Sequence, residues 1–143
     1  MTDHVARAEV MVDAAPDTVW GALTEPDQVR SWMVGTELST DWRVGSPITW
    51  RGEMNGSPYE DKGEVLENDE PRHLSFSHYS PLMGQEDRPE NYHTVTYDLA
   101  PTADGERTTV TLTQDGNESA EQARQFSENW QSMLDALKRT VEA

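Results

Sequence analysis

The hydrophobic positions of this chain change period twice. In "HVARAEVMVDA", Ala6, Ala8, Val10 and Val12 fall on one side and Arg7, Glu9 and Asp13 on the other. That alternation predicts a half-buried strand. "APDTVWGALTEPDQVRSWM" then turns helical. Pro16 suits a first helical turn, and Asp17 sits near the positive helix end. Val19, Trp20 and Leu23 make one apolar stripe. Thr24 and Pro26 restart the pattern, and Val29, Trp32 and Met33 make a second. Two short helices are expected.

Alternation returns from Thr36 to Thr113. Turn signals stand at Gly45-Ser46-Pro47, Asn55-Gly56 and Asp104-Gly105. Between them lie a strand bearing Ile48 and Trp50, the strand "YEDKGEVLEND", the arms "PRHLSFSHY" and "NYHTVTYDLAP", and a Thr-rich strand around Val110 and Leu112. Gly63 inside its strand marks a bulge or bend. The period then lengthens again. Ser119 with Gln122 fits a capping box. Ala123, Phe126, Trp130, Met133, Leu134, Leu137 and Val141 recur at three and four residues, the spacing of an amphipathic helix of about six turns.

The order is strand, two short helices, about six strands and one long helix, which predicts an α+β fold in one domain, residues 1–143. An antiparallel sheet with one apolar side needs a cover, and only the last helix is long enough. In the hairpin Leu74–Leu99, the alternation pairs Leu74 with Tyr97, Phe76 with Val95, and His78 with His93 on the covered face. Two imidazoles thus end an otherwise apolar wall, next to the loop 80–90.

Charge narrows the partners. The 143 residues carry 27 acidic and 11 basic side chains, a net charge of −16, and Lys62 and Lys138 are the only lysines. Such a surface repels nucleic acid and anionic membranes. Many carboxylates with few lysines are expected of a salt-adapted host, and a high-GC genome would also favour Arg over Lys. The absence of cysteine excludes disulfides, a thiol nucleophile and thiolate metal sites. No run of 18 apolar residues spans a membrane, and the start lacks an apolar signal core, so a cytoplasmic location is expected. There is no phosphate loop, dinucleotide fingerprint or nucleophile elbow.

Four stretches carry a family likeness: "APDTVWGALTEPDQVRSWM", "YEDKGEVLENDEPRHLSFS", "TVTYDLAPTADGERTTVTLTQDG" and "NWQSMLDALKRTVE". In this order they resemble the Aha-type family, named after the C-terminal domain of activators of the heat-shock-chaperone ATPase. That family lies within the START and birch-pollen-allergen-like (SRPBCC) superfamily. The resemblance implies the helix-grip fold, a curved antiparallel sheet wrapped around a long C-terminal helix, with two short helices after the first strand. It also implies a cavity between sheet and helix that often holds an apolar ligand. The eukaryotic activators use an additional N-terminal domain, and these residues are expected to supply one domain only.

On that footing the expected cavity lining is Trp32, Trp50, Phe76, His78, His93, Val95, Tyr97, Trp130 and Met133. The histidines would sit at its mouth. The plainer reading leaves them partly exposed, bonded to backbone and to each other, with the tryptophans as core. Met33, Met54, Met83 and Met133 are adaptable wall or gap filler. Arg51 and Arg72 either bind a carboxylate or lie on the surface. A metal would need Glu86, Asp87 or Glu90 as a third ligand beside the histidines; neither metal nor cofactor is expected. The acidic run Glu60, Asp61, Glu64, Glu67, Asp69 and Glu70 is read as a solvated face.

Three functions follow: a binding protein for a small hydrophobic or amphipathic molecule, a module that docks on a chaperone or another protein, and an enzyme using His78 and His93 as acid and base. A cavity of at least roughly 300 Å³ favours the first. A filled interior with an exposed apolar patch favours the second. Two histidines within hydrogen-bond reach inside a pocket favour the third. A monomer or homodimer fits all three.

Overall fold

Pro16 and Pro26 each open a helix where their missing N–H costs nothing, and the chain between β1 (His4–Val12) and β2 (Glu37–Ser39) folds as α1 (Pro16–Thr24) and α2 (Pro26–Trp32). The computed structural model describes residues 4–33, 36–54, 56–81 and 86–143. The remaining elements are β3 (Pro47–Met54), β4 (Ser57–Asp69), β5 (His73–His78), β6 (His93–Pro101), β7 (Thr108–Asn117) and α3 (Ala120–Glu142). The strands form one antiparallel sheet in the order β1-β7-β6-β5-β4-β3-β2. This is the helix-grip fold. Met83 lies outside the described residues.

The β5–β6 register is the one the alternation implies: Leu74 opposite Tyr97, Phe76 opposite Val95, His78 opposite His93. Leu74, Val95, Val110 and Leu112 are fully buried, and Leu134 and Leu137 of α3 meet them in one core. At the start of α3, Ser119 Oγ accepts from Gln122 N at 3.0 Å. Gln122 Oε1 accepts in turn from Glu118 N at 2.7 Å, one residue earlier than a strict capping box.

Two glycines let the sheet bend. A Cβ on Gly63 would stand 1.7 Å from Ser77 O, so β4 passes β5 too closely for any side chain there. Gly116, at φ 73°, lies in the irregularity where β7 leaves β1. Its missing Cβ makes room for the His93 ring, whose Nδ1 would otherwise lie 3.0 Å away.

The long helix also closes the outer edge of β1. Ser127 Oγ accepts from Arg7 N at 2.9 Å, Gln131 bonds both N and O of Glu9, Lys138 Nζ donates to Met11 O, and Glu142 Oε2 accepts from Asp13 N. The strand repeats every two residues and the helix every three to four, yet both place these groups on one line. Groups that would otherwise await another strand are thereby spent. No helix among the described residues is long and apolar enough to cross a membrane.

Candidate functional site

The cover over the sheet is divided. α3 lies along the β1–β7 side, while α1, α2 and the segment around β2 roof the other half. At the seam is a partly enclosed cavity of about 60 Å³. Trp32 reaches it from α2, Trp50 from β3, Phe76 from β5, Tyr97 from β6 and Trp130 from α3. Leu23, Val29 and Leu38 complete its aliphatic wall.

The walls are pinned from behind. Trp32 Nε1 donates to Ala22 O at 2.8 Å, Trp42 Nε1 to Thr24 O at 2.9 Å, and Trp130 Nε1 to Gln114 Oε1. Trp50 packs on Phe76 at 5.4 Å between ring centroids, and Phe76 on Tyr97 at 5.9 Å. Such tilted pairs suit the quadrupoles of the rings. Trp42 holds φ 62°, a costly conformation for a bulky side chain, and its carbonyl accepts from Asn68 Nδ2.

One end is polar. Asp61 occupies the inner face of β4 together with Tyr59 and Val65, and its side chain is 15% exposed. Its Oδ2 lies 3.0 Å from His78 Nε2, whose N–H it accepts. Its Oδ1 is buried and has no hydrogen-bond partner among the described residues. Leaving a buried acceptor bare costs about 1–3 kcal/mol, and more for a charged group. Tyr59 and Thr36 bond to each other at 3.2 Å. Burial pushes the Tyr97 phenol far above its ordinary pKa, so it remains a neutral hydroxyl.

Six of the nine expected lining residues meet here: Trp32, Trp50, Phe76, His78, Tyr97 and Trp130. The other three lie elsewhere. Val95 is fully buried in the core, and Met133 packs against the same core. His93 turns toward α3 and β7. Its Nδ1 donates to Asp115 O at 2.8 Å, its ring stands 5.9 Å from Phe126, and it plugs the space left by Gly116. The two histidines therefore form no acid–base pair. The reading of Asp61 as part of a solvated face is also corrected. Tyr59, Asp61, Gly63 and Val65 share a parity, and that parity points inward.

Other expectations resolve simply. Arg51 pairs with Glu60 at 2.7 Å on the surface. Asp87 is engaged by Lys62 and by the Tyr92 hydroxyl. No cluster of three or more metal-ligating side chains occurs among the described residues. The cavity is well short of the roughly 300 Å³ that a drug-sized ligand needs.

The family described as Activator of Hsp90 ATPase homolog 1-like protein matches residues 13–142. The chain belongs to this family. ChR145 from Cytophaga hutchinsonii shares the fold and is 40% identical over 99% of this chain and 97% of its own, with a TM-score of 0.86. The Aha1 dimer from Colwellia psychrerythraea shares the fold at 20% identity, over 99% of this chain and 97% of that one, with a TM-score of 0.73. DynU16, from the dynemicin biosynthetic locus, shares it at 24% identity and a TM-score of 0.78. There 99% of this chain matches 48% of that one. No curated protein matches this Aha-type chain.

Proposed function

We propose that this Aha-type domain is a binding module for a compact small molecule, held at the seam between sheet and helices. One observation carries the reading: the part-buried Asp61 carboxylate is only half paired, with its buried Oδ1 bare among aromatic side chains. Folding gains nothing from a bare Oδ1, whereas a ligand that donates to it recovers the lost bond. Apolar walls with a few oriented polar groups are the usual build of a small-molecule site. The volume favours a ligand of few atoms over a lipid-sized one.

Native mass spectrometry of protein purified from its own host tests this, together with tryptophan fluorescence during titration with small ligands. Four tryptophans, Trp32, Trp42, Trp50 and Trp130, line the cavity and report on its occupant. A retained small molecule or a saturable fluorescence change is expected. No retained mass and no saturable response would reject the reading.

The family description favours a second reading, in which the domain docks on an Hsp90-type chaperone and alters its ATPase rate. Addition of the purified domain to the host's chaperone tests it. An unchanged rate and no co-migration would reject it.

A further inference from the structure

We infer that the cavity takes a small protonated alkylamine, with its ammonium group on Asp61 Oδ1 and its carbon chain against the aromatic wall. The inference rests on the binding reading above and names the ligand's chemical class.

The first argument is the polarity of what remains free. Three of the four lining tryptophans spend their N–H groups on protein acceptors, and the Tyr59 and Thr36 hydroxyls share one hydrogen bond. His78 directs Nε2 at Asp61 Oδ2. The unsatisfied atom is a carboxylate oxygen, which only accepts. Among the described residues, no Lys or Arg lines the cavity. A ligand anion would meet the Asp61 carboxylate in a poorly solvated space, whereas a ligand cation would be attracted to it.

The second argument is the wall itself. Tryptophan, tyrosine and phenylalanine rings attract a cation electrostatically when it lies within about 6 Å of a ring centroid. Trp32, Trp42, Trp50, Trp130, Tyr59 and Tyr97 surround the space beside the carboxylate. Their anchored N–H groups hold the wall ready before binding. The third argument is size. A cavity of about 60 Å³ has room for only a few non-hydrogen atoms. That corresponds to the short-chain amines.

Isothermal titration and tryptophan fluorescence with n-propylammonium chloride, 1-butanol and sodium propionate, at constant ionic strength, test the class. The expected order is propylammonium at least tenfold tighter than butanol, with no saturable binding of propionate. Asp61→Asn is expected to weaken propylammonium at least tenfold and leave butanol unchanged. A circular-dichroism melt of this variant checks that it folds. Glu128→Gln, on the outer face of α3, sets the background from general attraction of cations to a chain of net charge −16. Butanol binding as tightly as propylammonium, or full amine affinity in folded Asp61→Asn, would overturn the class and leave the binding reading standing. No saturable binding of any of the three would overturn both.

Discussion

His78 and His93 stand opposite each other in the β5–β6 register, and on that shared face their rings turn apart, one toward β4 and the other toward β7. His78 joins Asp61 on β4, while His93 joins Asp115 on β7 and packs near Phe126. The two positions therefore serve different ends. His93→Gln is expected to lower stability by about 1–2 kcal/mol, through a lost hydrogen bond and a badly filled bulge, with no change in ligand affinity. His78→Gln is expected to weaken binding with a smaller loss of stability. Urea unfolding beside fluorescence titration separates them, and the reverse pattern would refute the division.

Gly63 offers a sharper test of the backbone. Its added Cβ would stand 1.7 Å from Ser77 O, and a main-chain oxygen cannot swing aside as a side chain can. Gly63→Ala is expected to cost at least about 2–3 kcal/mol and to lower the melting temperature by roughly 5–10 °C. Gly105, at φ 73° with open space around it, supplies the contrast. Its alanine variant meets only the cost of a left-handed conformation, about 1–2 kcal/mol. Similar losses at both positions would show that the β4–β5 approach is looser than described.

A third prediction concerns pH. His73 Nδ1 lies 2.6 Å from Asp98 Oδ1, and Nε2 lies 2.9 Å from Glu67 Oε1. These partners, Asp98 foremost, hold its pKa above the ordinary 6.5. The folded chain thus keeps a proton that the unfolded chain releases first. Its stabilising contribution is complete below pH 6.5 and disappears as the pH climbs through the raised value. Wild-type protein should lose stability relative to His73→Gln as the pH rises above 6.5. Parallel urea midpoints for the two chains would contradict this.

Salt should act on the whole surface. With a net charge of −16, self-repulsion is felt across the molecule when the screening length is about 30 Å, near 0.01 M salt. Raising the salt to about 1 M shortens that length to about 3 Å. The melting temperature is expected to rise over this range, and a flat profile in scanning calorimetry would exclude net repulsion as a burden on stability.

The fold was legible because period and turn chemistry agreed element by element. The β5–β6 register followed from alternation alone, since a slip of one residue would have turned Phe76 and Tyr97 to solvent. The site was legible only in part. Asp61 lay hidden in a dense acidic run, where composition outweighed the parity it shares with Val65. Trp42 sat between two turns, with no periodicity to assign it a face, although a tryptophan amid polar residues was a signal of its own. Val95, His93 and Met133 had the right parity or stripe. What alternation does not encode is how the roof divides: α3 covers their part of the sheet, and the space opens at its margin, beside Trp130.

The lacing of α3 along β1 has a directional consequence. One rim of the sheet is stitched shut by Ser127, Gln131, Lys138 and Glu142, so a visiting strand finds no template there. The opposite rim is β2, three residues long, and its Leu38 belongs to the aromatic chamber. A strand added at that rim, from a second copy or from another protein, would therefore lie beside this chamber.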